Sequence, residues 1–162
     1  MTALPVASSR MKSVEFLNGQ GRGYMAARLG IVATRAVAEP MPCVTVRMKI
    51  RRGHLAPHGY LHGGAIMALA DTACGYGCWA SLPATASGFL TIESKSNLIG
   101  ASQRGTLECT ARARHVGRTT QVWDAEVVEL ESAKVIAMVR CTQLILQFPV
   151  GEVIFPAECA GA

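Results

Sequence analysis

Between Arg52 and Glu93 the chain runs for forty residues with a single formal charge, Asp71. That carboxylate sits inside the apolar run His62-Gly63-Gly64-Ala65-Ile66-Met67-Ala68-Leu69-Ala70-Asp71-Thr72-Ala73. An ionised group on a covered helix loses its hydration at considerable cost unless a partner or a reaction makes use of it. Two readings are open from the helix alone: a structural Asp that caps a neighbour or pairs with an Arg across an interface, and a reactive one. His62 opens the same run and is followed at once by two glycines. Free backbone N–H groups at a helix start offer a positive end to an oxygen that gains negative charge, and Gly63 and Gly64 let a substrate approach that backbone. With a carboxylate nearby, the chemistry is acyl transfer: one group polarises a carbonyl while the other attacks it or activates water.

Spacing constrains that chemistry. Gly63 and Asp71 are eight residues apart, about 12 Å along a helix, which is too far to serve one carbonyl within one chain. Two antiparallel copies of the helix across a two-fold axis would bring Gly63 of one near Asp71 of the other. A dimer with two composite sites is therefore expected. His54, His58 and His62 recur every four residues, but Gly53, Pro57 and Gly59 break any helix that would align them, and no local carboxylate or cysteine completes a ligand set. Neither a metal nor a cofactor is expected, and His54 and His58 read as loop polarity.

The elements that must position these residues follow from periodicity. A short helix is expected around Met11 to Leu17, a turn at Asn18 to Gly23, a helical turn from Tyr24 to Leu29 and a strand from Ile31 to Ala38. Val44, Val46, Met48 and Ile50 alternate with Thr45, Arg47 and Lys49, the period of two that turns one strand face to the core. From His62 to about Ser81 the residues are small or apolar nearly all round, as in a helix covered on most of its surface. Four strand-like runs follow, at 88 to 99, 106 to 116, 119 to 130 and 135 to 146, with short connections that predict a four-stranded antiparallel meander. Such a sheet must cover its apolar face, and the 62 to 81 helix is the candidate cover. The predicted fold class is α+β, one curved antiparallel sheet wrapped around one long central helix.

The 162 residues suit one domain, half of them hydrophobic and only 17% charged, so part of the surface is expected to lie in an oligomer interface. No apolar run approaches the roughly 18 residues that span a bilayer, and the start Met1 to Lys12 lacks a signal-peptide core; the cytoplasm is the expected location. Six cysteines are scattered without paired spacing and read as reduced core residues. The net charge of +5 is spread over two clusters, Arg47 to Arg52 and Arg112 to Arg118, with few of the nine aromatic residues near them. That pattern argues against nucleic acid and suits an anionic small ligand or plain solvated strand faces.

Three motifs carry a resemblance: Leu61-His62-Gly63-Gly64-Ala65-x-x-x-Leu69-Ala70-Asp71-Thr72-Ala73, then Thr91-Ile92-Glu93-Ser94-Lys95-Ser96-Asn97-Leu98, then Gly117-Arg118-Thr119-Thr120. Over residues 25 to 147 the chain resembles the hotdog-fold acyl-CoA thioesterases of the phenylacetate-degradation type. The resemblance implies a hotdog fold, hydrolysis of a possibly aryl acyl-CoA and a homodimer or homotetramer. It further implies that Asp71 is the catalytic carboxylate, as general base or nucleophile, that the Gly63 amide helps bind the thioester oxygen and that His62 orients the thioester. Gly64, Thr72 and Thr91 would line the site, and Arg118 would lie near the coenzyme A phosphates, where a planar guanidinium suits phosphate. One position departs from the pattern: relatives often carry Asn or Gln six residues before the motif His, and here that residue is Ala56. Ala56 favours the alternative function, a non-catalytic acyl-CoA binding or sensor protein on the same fold. The expected organisation is a leader with a short helix at 1–24, the hotdog domain at 25–147 and a tail at 148–162.

Overall fold

His62 decides where the central helix begins. Its side chain accepts a hydrogen bond from the Gly64 N–H at 2.8 Å and so caps one of the donors that a helix start leaves unpaired. The computed structural model describes residues 11–147, so the whole of the expected tail and the first ten residues lie outside the described residues. In chain order the elements are α1 (Val14–Gln20), α2 (Met25–Arg28), β1 (Ile31–Val37), β2 (Cys43–Lys49), α3 (Gly63–Ala80), β3 (Gly88–Leu98), β4 (Thr106–Val116), β5 (Thr120–Glu129) and β6 (Lys134–Leu146). A single 3-10 turn, Arg52–His54, links β2 towards α3.

The six strands form one antiparallel sheet in the order β1-β2-β4-β5-β6-β3, and α3 touches all of them. The curved sheet around one long helix is the architecture expected from the sequence. One detail of the connection differs. β4, β5 and β6 do run as a meander, but β3 pairs with β6 at the far edge, and β4 pairs with β2. The segment after β3 leaves β6 through the Ile99 and Gly100 N–H groups bonded to the Ile136 carbonyl, and its Ser102 carbonyl then accepts the Leu61 N–H. It crosses beside the helix start before β4 begins. Turn residues signal that a chain reverses; which edge it joins depends on what has already been laid across the helix.

Alternation holds the core. Val46, Met48, Leu107, Cys109, Trp123 and Val127 point at Leu69, Ala70, Ala73 and Cys74 of α3, all fully buried. The small residues of α3 let the sheet come close: a Cβ on Gly77 would lie 2.5 Å from Cζ3 of Trp123. α1 continues three residues past the expected end, through the Asn18-Gly19-Gln20 stretch read as a turn. Ser13 caps it, Leu17 enters the core with no exposed surface, and Asn18 bonds both backbone groups of Ala33, at 3.1 and 2.8 Å. The five described cysteines are free and buried. No helix among the described residues is long and apolar enough to cross a membrane.

Candidate active site

Asp71 lies in the middle of α3, half-buried, on the side that faces β3. The Thr91 hydroxyl of β3 is 3.0 Å from Asp71 Oδ1, in donor geometry. The same hydroxyl is 2.9 Å from Oε1 of Gln143, its directly paired neighbour on β6, whose side chain is completely buried. Residues 71, 72, 75, 76 and 79 share one face of the helix, as their spacing requires. This face opens into a pocket of about 420 Å³, walled by Tyr24 and Met25 of α2, by Asp71, Thr72, Tyr76 and Trp79 of α3, and by Phe89 of β3. Trp79 and Phe89 meet edge to face at 6.2 Å, which gives the pocket an aromatic wall. The Tyr76 hydroxyl is buried with no hydrogen-bond partner among the described residues, and burial pushes its phenol above the ordinary value.

The helix start is a separate place. With Gly64 bonded to His62 Nδ1, and the Ala65 and Ile66 N–H groups bonded to the His62 carbonyl, the Gly63 N–H stands outside both cap and ladder. The cap requires an unprotonated Nδ1, so the neutral His62 ring carries its proton on Nε2. Gly64 thus spends its amide on the cap, and a Cβ there would press on the His62 ring at 2.9 Å. Gly63 abuts the far end of β3, where a Cβ would meet Leu98 Cδ1 at 2.9 Å.

The structure therefore brings Asp71, Thr72 and Thr91 together, holds His62, Gly63 and Gly64 two turns away, and places Arg118 elsewhere. Arg118 occupies the β4–β5 turn, where its carbonyl accepts a 2.7 Å bond from Gln147 Nε2. It is not one of the residues around the pocket. His54 corrects the reading of loop polarity. It is 4% exposed, accepts the Arg51 N–H on Nδ1 at 3.2 Å, and its carbonyl takes the His62 N–H at 2.9 Å, so it braces the approach to the helix. Burial and the adjacent Arg51 hold its imidazole below the ordinary value. Ala56 is half-buried in the tight turn that follows, with its N–H on the Tyr60 carbonyl at 2.7 Å.

Several residues at the pocket escaped the sequence reading. Tyr76 and Trp79 could have been found from their spacing to Asp71 on one helix face, and Gln143 from its place in the inward phase of β6 set by Cys141 and Ile145. Tyr24, Met25 and Phe89 reach the pocket only through tertiary packing.

Comparison with known proteins bears on the family and the fold. The family model of the thioesterase superfamily matches residues 58–136. The 1,4-dihydroxy-2-naphthoyl-CoA hydrolase of Listeria monocytogenes is 33% identical over 97 residues, 60% of this chain and 77% of that protein. The acyl-coenzyme A thioesterase PaaI of Escherichia coli is 35% identical over 95 residues, 59% of this chain and 65% of that protein. A crystal structure of a mutant of the thioesterase PA1618 from Pseudomonas aeruginosa superposes with a TM-score of 0.78 at 26% identity, covering 85% of this chain and 96% of that one. The chain belongs to the thioesterase superfamily, among its hotdog-fold acyl-CoA thioesterases of PaaI-like type, and is a thioester hydrolase.

Proposed function

We propose that the protein hydrolyses an aryl acyl-CoA to the free acid and coenzyme A, with Asp71 as the catalytic carboxylate in a site completed by a second copy of the chain. The observation that carries this reading is the position of Asp71 at the mouth of a pocket walled by Tyr24, Tyr76, Trp79 and Phe89. Flat aromatic walls favour a flat acyl group, stacked or edge-on. In one route Asp71 takes a proton from water as the oxygen adds to the thioester carbon; the C–S bond then breaks and the proton passes to the leaving sulfur. In the other the carboxylate itself adds, sulfur leaves, and water opens the resulting anhydride. Both routes put negative charge on the carbonyl oxygen, which the Gly63 N–H at the positive helix end would receive while His62 Nε2–H orients the thioester. Gly64 supports this by fixing the His62 ring, and Thr72 and Thr91 line the carboxylate's surroundings.

The edge strand β3 supports the composite site. Among the described residues its outer edge has no strand partner, and Leu90, Ile92, Leu98 and Ile99 are between 49% and 61% exposed. Pairing two β3 strands antiparallel about Ser94 and Lys95 would set Leu98 of one opposite Thr91 of the other. Leu98 adjoins Gly63 and Thr91 adjoins Asp71. The same pairing therefore brings the Gly63 amide of one copy to the Asp71 carboxylate of its partner, and a homodimer, alone or doubled into a homotetramer, is the assembly proposed. Arg118 at the hairpin tip is assigned to the coenzyme A phosphates. Ala56 offers only a methyl group for holding water, which leaves activation of water to Asp71.

The test is release of free thiol by the purified protein across a panel of aryl- and alkyl-CoA thioesters, with sedimentation to give its mass in solution. Preferential turnover of aryl thioesters by a dimer or tetramer is expected. Equal turnover of straight-chain alkyl thioesters would remove the aryl assignment, a fully active monomer would remove the composite site, and binding without turnover would restore the non-catalytic alternative.

A further inference from the structure

Thr91 has one hydroxyl proton and two acceptor oxygens in reach, the carboxylate Oδ1 of Asp71 at 3.0 Å and the amide Oε1 of Gln143 at 2.9 Å. It cannot donate to both. At the same time Gln143 Nε2, completely buried, has no partner among the described residues. The oxygen and nitrogen of a side-chain amide are nearly the same size, so packing alone does not distinguish one orientation from its reverse. Hydrogen bonding does distinguish them. With the amide turned over, Nε2 donates to Thr91 Oγ1, and the hydroxyl proton is committed to Asp71. The group then left without a partner is a carbonyl rather than an NH2, and an orphaned carbonyl is the less costly of the two.

The surroundings leave Gln143 no other use. Gln121, paired with it on β5, is engaged elsewhere: its Oε1 accepts the Trp123 Nε1–H at 3.0 Å and its Nε2 donates to the Ser81 carbonyl at 3.5 Å. Gln121 is thus a structural tie between the helix end and the sheet. Among the described residues the one hydrogen-bond contact of the Gln143 side chain is with the hydroxyl that meets the carboxylate.

We infer that Gln143 is a positioning residue for the hydrolytic site, acting as the terminal donor of a relay from Gln143 Nε2–H to Thr91 Oγ1–H to Asp71 Oδ1 that fixes which way the Thr91 proton points. This rests on the reading of Asp71 as the catalytic carboxylate. A directed proton holds one carboxylate oxygen in place and leaves the other for the water or the thioester carbon. Without Gln143 the hydroxyl can turn away, and the carboxylate loses a fixed orientation rather than its chemistry.

Two measurements test the relay. In the NMR spectrum of the unmodified protein, the Gln143 side-chain NH2 protons, assigned by their loss in Gln143→Met, should show cross-relaxation to the Thr91 β-proton; NH2 protons directed away from Thr91 would overturn the proposal whether or not any thioester is turned over. In kinetics, the nearly isosteric Gln143→Met should lower kcat about tenfold, the worth of one hydrogen bond to a charged group, with KM within about twofold. In a Thr91→Val background the same substitution should change kcat by less than about twofold, because a residue that acts through Thr91 has nothing left to act on. A tenfold loss that persists in that background, or a rise in KM instead of a fall in kcat, would show a packing role only. If the unmodified protein hydrolyses no thioester, the assignment of Asp71 fails while the NMR result still decides the orientation of Gln143.

Discussion

Asp71 of the central helix and Thr91 of the edge strand face each other at 3.0 Å, so the candidate carboxylate is tied to the rim of the sheet and not only to its own helix. Asp71→Asn keeps an oxygen for that bond and the volume of the side chain while removing the base and nucleophile. Turnover should fall about 100-fold or more with an unchanged melting temperature. Retention of more than a tenth of the activity, read by thiol release, would remove Asp71 from the chemistry.

Gly77 tests the helix–sheet approach. A methyl group there gains about 1 kcal/mol in helix propensity, but it would lie 2.5 Å from the ring of Trp123, which is fully buried and held through Nε1 by Gln121. The ring has little room to retreat, so overpacking wins, and Gly77→Ala should destabilise by about 1–3 kcal/mol. Calorimetry showing an equal or higher melting temperature would mean that the sheet yields at this point.

On the outer face of the sheet Asp124 receives Arg140 at 2.6 and 2.8 Å and Arg114 at 2.7 Å, and the Arg140 hydrogen bonds hold its carboxyl below the ordinary range. A carboxylate whose folded pKa lies below its unfolded one stabilises at neutral pH, and that contribution is lost as pH falls through the folded pKa. The two arginines are more than half exposed and Asp124 is partly so, which keeps the effect within about 1 kcal/mol. The gap in melting temperature between the unmodified protein and Asp124→Asn should be greatest near neutrality and close as pH drops below about 4. A gap independent of pH would assign the loss to packing.

The buried thiols should be silent in the native state. Burial pushes Cys78 up to about 12 and Cys109 higher still, and Cys74 is raised by its hydrogen bond to Cys141 together with burial; the same bond lowers Cys141, which is shielded from reagent by having no exposed surface. Thiolate is the reactive form, so at about pH 8 an aromatic disulfide reagent should label at most one of the six cysteines, Cys159, which lies outside the described residues, and all six in denaturant. Rapid labelling of two or more in the folded protein would show local opening of the core.

Local chemistry made much of this legible. The solitary Asp71 in an apolar run, the His-Gly-Gly helix start and the period-two strands each follow from nearest neighbours along the chain, and together with the family motifs they yielded the sheet wrapped on one helix. The eight-residue separation of Gly63 and Asp71 is the sequence feature on which the proposal of two copies rests. What lay beyond reach depends on pairs distant in sequence. β3 joins β6 instead of β4 because the far edge is the one still open after the helix has crossed, and no turn residue encodes that choice. His54 is buried because the chain returns to the helix start over it. The Thr91 hydroxyl meets Gln143, 52 positions away, because strand register sets the two on one rung, and meets Asp71, 20 positions away, because the helix packs against that rung. Short-range periodicity specifies which face a residue takes; only the packing of helix on sheet decides which faces meet, and with them which polar groups must share a proton.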